Sequence, residues 1–257
     1  MSNLGGSIGW GLAVGASLLL GALAAARFRL PARAAAALTA FGGGILLAAV
    51  ALELVPDADA RAGVALTATG LVGGTLVYVA ADAWLNRKEG MKAMRRSAHA
   101  AAAGRPMEMD AAPHGAEAAR GESIAAGLFV DGVPESIALG LTIAEDELGV
   151  ALLAGILIGN LVEAYGAAQP IVAGGRSARF AVGLLGAIGL VLALATALGG
   201  TVLADASPEF IGTAQAVAAG AVLAVISIAI IPHAFEEVSS LVASATVLGF
   251  VGGYLLS

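Results

Sequence analysis

Residues 123–142 read SIAAGLFVDGVPESIALGLT, twenty residues in which Asp131 and Glu135 are the only charged side chains. A helix rising about 1.5 Å per residue covers about 30 Å over that length, the thickness of a bilayer's hydrocarbon core. The stretch therefore reads as a membrane-crossing helix with two acids near mid-depth. The rest of the chain agrees. Of its 257 residues, 59% are apolar and 12% charged, where soluble domains carry about 45–50% and about 25%. Thirteen Lys and Arg with nineteen Asp and Glu are too few to cover a water-facing surface of this size. The mean hydropathy is +0.90, and the bilayer is the solvent that suits such a composition. A net charge of −6 argues against nucleic acid as a partner, because a phosphate-binding face needs clustered Lys and Arg. The absence of cysteine excludes disulfides, thiolate metal sites and cysteine nucleophiles.

Working outward, seven further apolar stretches have membrane-spanning length. The sequence predicts an all-α integral membrane protein with eight transmembrane helices, at residues 7–26, 34–55, 62–85, 123–142, 148–174, 180–204, 209–231 and 238–256. Residues 1–257 form one transmembrane domain in this reading. Arg27, Arg29 and Arg33 follow the first span rather than precede it, so it is read as a retained helix and not as a signal sequence. With both termini outside, twelve of the thirteen basic residues fall on the cytoplasmic side and only Arg61 lies outside. The positive-inside rule thus favours the cytoplasmic (inner) membrane and this orientation. The one long connection, 86–122, mixes basic residues with Pro, Gly and Ala, lacks apolar periodicity and is expected to be a mobile cytoplasmic loop. Glycines four apart, Gly11 with Gly15 and Gly155 with Gly159, predict close helix packing. Glycine-rich faces of this kind also allow a homodimer.

Five acids fall within the spans: Glu53, Asp82, Asp131, Glu135 and Glu163. An acid at the bilayer centre costs roughly 2.5–3.5 kcal/mol on insertion scales, and no Lys or Arg lies within a predicted span to offset it. A proton or a cation from solution must do so. Asp131 and Glu135 lie about 12 and 18 Å from the inner end of the fourth helix, Asn160 and Glu163 about 18 and 22 Å from the outer end of the fifth. Spacings of four and three put each pair on one helical face. Asp131, Glu135, Asn160 and Glu163 are therefore the candidate metal ligands, an oxygen set suited to Mn²⁺, Fe²⁺ or Zn²⁺. Pro134 cannot donate to the Val130 carbonyl, and a helix opened there beside a carboxylate pair suits a transporter. Glu53 near the outer end, with His233 and Glu236 near the inner end of the seventh span, are candidates for an accessory metal path. Asp82 lies one turn from the basic loop and is read as reaching it.

Asp131-Gly132-Val133-Pro134-Glu135-Ser136 resembles the His-Asn-x-Pro-Glu-Gly signature in the fourth helix of the ZIP (zinc/iron-regulated transporter-like) metal transporters. Asn160-Leu161-Val162-Glu163 resembles the polar-x-x-Glu stretch of the family's fifth helix, and Phe41 to Asp57 its second. Ile230-Ile231-Pro232 with Glu236 is similar to the end of its seventh. The resemblance implies a 3+2+3 arrangement with an inverted pseudo-repeat around helices four and five, which hold the transport site. Val55-Pro56-Asp57-Ala58 and Ile231-Pro232-His233-Ala234 are a faint trace of such a repeat. Asp131 stands where the family has His, Gly132 where it often has Asn, and Gly159 at another usual ligand position. The sixth span contains no acid. One metal site rather than a binuclear centre is the expectation, with zinc selectivity weakened by the missing imidazoles.

The sequence thus predicts a divalent metal cation transporter moving zinc, or manganese or iron, into the cytoplasm. It would not be an enzyme and would need no prosthetic group. Its partners would be the ion and membrane lipid. Two alternatives stand beside it. An intramembrane metal-dependent enzyme acting on a lipid phosphate would normally set an Arg at reacting depth, and none is found in a span. A non-transporting relative would bind metal as a sensor.

Overall fold

A computed structural model describes residues 2–28, 30–85, 116–144, 149–201, 206–232, 234 and 240–257. The described residues form no sheet. They form helices α1 (Ser2–Arg27), α2 (Ala32–Ala49), α3 (Val55–Leu85), α4 (Ala116–Ala144), α5 (Val150–Ala173), α6 (Ala178–Thr201), α7 (Pro208–Val225) and α8 (Ser240–Leu256). Because α2 and α3 run together, the described residues form seven helical runs, and six contain apolar stretches long enough to cross a membrane. The seventh, α8, is shorter at 17 residues. Large apolar side chains such as Leu20, Leu76, Leu194 and Leu255 point outward. An exterior of this kind belongs in hydrocarbon, and the chain is an integral membrane protein by this measure.

The helix ends follow local chemistry. Ser207 caps α7 by accepting from the Phe210 amide at 3.3 Å, and Pro208 occupies the first turn, where a missing N–H costs nothing. Gly175 ends α5 with φ at 92°. Its N–H bonds the Val172 carbonyl at 3.1 Å and the Arg176 N–H bonds the Ile171 carbonyl at 3.2 Å. That is the paired-carbonyl helix stop that needs glycine in the left-handed region.

Two π-helical turns interrupt otherwise α-helical runs, at Val50–Leu54 after α2 and at Ile226–Ile230 after α7. Each closes with an N–H bonded five residues back, Val55 to Val50 and Ile231 to Ile226. Each is followed at the second position by a proline, Pro56 or Pro232. A proline cannot return the usual bond to the carbonyl four residues earlier, and a widened turn is one way a helix absorbs that loss.

The connection expected around 56–61 is helical instead, and the break falls at Gly63, with φ 78° and ψ 161°. Ala58, Ala60 and Ala62 favour helix, and Asp57 and Arg61 have the spacing of a helical ion pair. Helix α4 likewise begins at Ala116, seven residues before the expected start, over the helix-forming stretch AEAARGE. The expected mobile loop is to that extent shortened. Its residues 86–115 lie outside the described residues.

Packing places α4 against α5 at the centre. Helix α1 packs on α5 and α6, α6 on α4 and α1, α2 on α5 and α8, and α7 on α4 and α3. Glycine permits the closest approaches. A Cβ on Gly15 would lie 2.8 Å from the Gly189 carbonyl oxygen, and a Cβ on Gly189 would lie 2.8 Å from that of Gly15. Gly11 similarly faces Ala193, so the Gly11/Gly15 pair is a packing face. The Gly155/Gly159 pair divides: a Cβ on Gly155 would strike Leu46, whereas one on Gly159 meets nothing within 4 Å.

Candidate functional site

The central pair α4 and α5 carries the residues of interest. Glu135 on α4 is 5% exposed and Asn160 on α5 is 3% exposed, while Glu163 is half-buried one turn further along α5. Asp131 lies on α4 one turn before Glu135; its side chain lies outside the description. No Lys or Arg occurs anywhere between residues 121 and 175, so neither α5 nor the membrane-depth part of α4 carries a cation of its own. Among the described residues, which leave out the Asp131 carboxylate, no three His, Cys, Asp or Glu side chains gather as a metal cluster. Of the four residues predicted as ligands, Glu135, Asn160 and Glu163 have described side chains, on α4 and α5, and the Asp131 carboxylate does not.

Local sequence shapes this region. Pro134 lies inside α4 and has no N–H to return to the Val130 carbonyl. At Gly132 an added Cβ would lie 2.6 Å from a Leu192 methyl, so α4 is held close to α6 just before the proline. Beside Asn160, Gly159 leaves open space on α5. The Asn160 Nδ2 and the Ser136 hydroxyl are buried without a hydrogen-bond partner among the described residues. Leaving such a group unpaired costs about 1–3 kcal/mol. The Asn160 Nδ2 is a donor and calls for an acceptor rather than a cation, whereas the Ser136 oxygen has lone pairs as well as a proton. Ser136 was legible only as a neighbour of Glu135.

Glu53 has a structural task the sequence did not reveal. It sits in the π turn after α2, and its Oε1 accepts from the Ala151 amide at 3.4 Å, in the first turn of α5. Its Oε2 is buried without a hydrogen-bond partner among the described residues, and a Cβ on Gly149 would lie 2.9 Å from it. A carboxylate from another helix thus serves the N-terminus of α5, where backbone N–H groups and the helix dipole favour negative charge. His233 and Glu236 lie outside the described residues. So does the Asp82 side chain, expected to reach the basic loop.

No protein-family model matches the sequence, and no curated protein matches it either.

Tyr165 is the residue whose importance the sequence concealed most. Its hydroxyl donates to the Phe28 carbonyl at 3.0 Å and accepts from the Leu30 amide at 2.6 Å and from Gln169 Nε2 at 2.7 Å. One buried phenol therefore ties the α1–α2 connection to α5. The only signal beforehand was Tyr165 and Gln169 at a spacing of four in an apolar helix. Tyr165→Phe strands the Leu30 and Gln169 donors together, and we expect it to lower stability by about 1–3 kcal/mol. A thermal midpoint in detergent equal to that of the unaltered protein would remove the clamp from the forces holding these helices.

Proposed function

We propose that this protein carries divalent transition-metal ions, Zn²⁺, Mn²⁺ or Fe²⁺, across the cytoplasmic membrane into the cell by alternating access. The carrying observation is the burial of Glu135 and Asn160, 5% and 3% exposed, on two central packed helices that hold no Lys or Arg between residues 121 and 175. Acids at such depth are costly and mark ion pathways. Asp131, Glu135, Glu163 and the Asn160 amide oxygen would receive the ion, a ligand set of hard oxygen donors. Glu53 at one end and His233 with Glu236 at the other would serve as accessory contacts. The resemblance of residues 131–136 and 160–163 to ZIP transporters supports the class of cargo and the inward direction.

The architecture proposed is eight crossings in a 3+2+3 order. Gly63 divides residues 32–85 into two lengths, and α8 would make the last crossing. An inverted pseudo-repeat would exchange α1, α2 and α3 with α6, α7 and α8, and α4 with α5. Under that exchange α1 on α5 becomes α6 on α4, α2 on α5 becomes α7 on α4, and α2 on α8 becomes α7 on α3. All of these packings occur, and the matched π turns before Pro56 and Pro232 support the same pairing. Inverted repeats of this kind permit one site to open alternately to either side. Twelve of thirteen basic residues on one side support both termini lying outside.

Purified protein in liposomes, offered Zn²⁺, Mn²⁺, Fe²⁺, Cd²⁺ and Mg²⁺ separately, tests the reading. We expect saturable uptake of at least one transition ion, well above that of Mg²⁺. Uptake of every ion at the level of protein-free liposomes would overturn transport. Hydrolysis of a lipid phosphate by the same preparation would point to an enzyme instead.

A further inference from the structure

We propose that a cavity between the end of α3, the first half of α4 and α6 is a binding site for an anionic phospholipid, with an acyl chain in the cavity and the phosphate on Arg176. The inference rests on the membrane orientation above, which puts the α5–α6 turn at the inner face, and not on metal transport. The cavity measures about 480 Å³, and its walls are Ala81 of α3, Ala126 and Phe129 of α4, and Leu184 and Ile188 of α6. Every one of those side chains is apolar. Ala126 and Phe129 are exposed on the outer flank of the bundle, so the cavity opens sideways, where hydrocarbon is the medium. Among the described residues that line it, charge appears only at the rim, in Glu122 beside Phe180.

Arg176 reaches that rim from the turn closed by Gly175. Its Nε donates to Glu122 Oε1 at 3.1 Å, and its guanidinium lies 4.9 Å from the centre of the Phe180 ring. These two contacts orient the planar fork, while its terminal nitrogens are bonded to none of the described residues. With Arg176 and Glu122 54% and 35% exposed, their ion pair holds weakly and leaves room for a stronger acceptor. A phosphate takes two parallel bonds from a guanidinium, which a single Nε contact does not match. Exposed Arg179 adds a second positive charge at the start of α6, beside Phe180. An exposed arginine over an apolar cavity between helices, at the cytoplasmic interface, matches the inner-leaflet phospholipid in both its charge and its chain.

A second groove supplies the control. It holds about 380 Å³ and is lined by Val77, Pro134, Phe210, Thr213 and Val217 among others, with no charged side chain. It should take up acyl chains without regard to headgroup. Replacing both tryptophans, Trp10→Phe and Trp84→Phe, allows one reporter to be placed by Phe180→Trp, or in the control groove by Val217→Trp. The protein is reconstituted in phosphatidylcholine vesicles containing chain-brominated phosphatidylglycerol or chain-brominated phosphatidylcholine, and quenching is read against mole fraction. We expect the Phe180→Trp reporter to be half-quenched at a several-fold lower fraction of phosphatidylglycerol than of phosphatidylcholine. Adding Arg176→Gln should erase that difference, adding Ala126→Leu should weaken quenching by both lipids, and the Val217→Trp reporter should show no difference. Native mass spectrometry of the chain with its tryptophans and Phe180 intact, compared with Arg176→Gln alone, counts retained phosphatidylglycerol without the reporter and should show its loss. Equal quenching by the two lipids at Phe180→Trp overturns the site, as does a preference that survives Arg176→Gln. Absence of quenching by either lipid, with emission that follows the protein-to-lipid ratio, would mean that a second copy of the chain covers the cavity. Metal uptake by Arg176→Gln separates the two proposals, because loss of lipid selection leaves the ion site itself unaltered.

Discussion

Glu135→Gln is expected to reduce metal uptake by about 100-fold or more, since disturbing even an indirect contact to a bound metal costs 10–100-fold. Gln has nearly the volume and shape of Glu, so packing around a side chain only 5% exposed is preserved. What changes is charge. A neutral amide loses the attraction to a dication while easing the burden of an acid at mid-membrane. The variant should therefore insert normally and unfold at the same or a higher temperature than the unaltered chain. The two readouts together separate a lost ligand from a damaged fold, because structural damage would lower both. Uptake at the unaltered rate would exclude Glu135 from the ion site. Reduced uptake with a lowered thermal midpoint would assign it a packing role.

The six helical runs long and apolar enough to cross a membrane were legible because an apolar run of about twenty residues has few alternatives in water or lipid. The exceptions had local reasons. Residues 55–62, VPDADARA, read as a loop because Pro56, Asp57, Asp59 and Arg61 interrupt the apolar pattern, yet alanines and the Asp57/Arg61 spacing keep them helical as far as Gly63. The four-residue echo around Pro56 and Pro232 hinted at a repeat, but the π turns it marks depend on how each backbone absorbs a missing N–H. Glu135 and Asn160 were legible as polar residues inside apolar runs, but their burial depends on which helices cover those faces. The bond from the Ala151 amide to Glu53 spans 98 positions and that from Leu30 to Tyr165 spans 135, and no local pattern encodes partners so distant. Glycine spacing had the same limit. Gly155 and Gly159 look alike along the chain, and only the neighbouring helix decides that one is packed and the other open.

That limit yields a sharp test on α3. Gly73 and Gly74 are adjacent and chemically identical, yet a Cβ on Gly73 meets nothing within 4 Å while one on Gly74 would strike the backbone of Val217 on α7. The contact is reciprocal, because a Cβ on Gly220 would strike the Leu71 backbone, and the Thr75 hydroxyl donates to the Gly220 carbonyl at 3.0 Å. In hydrocarbon, where helices gain little by hiding apolar surface from lipid, such close backbone contact is a main source of association. A leucine side chain at Gly74 cannot be accommodated by rotating a neighbour, since the obstacle is main chain. We expect Gly74→Leu to cost more than about 3 kcal/mol, at or beyond the usual range for overpacking, and to abolish the folded monodisperse protein in detergent. Gly73→Leu should stay within about 0.5 kcal/mol of the unaltered chain, as surface substitutions do. Size-exclusion profiles and thermal midpoints of the two variants measure the contrast, and equal stability would mean that α3 and α7 do not approach this closely in the membrane.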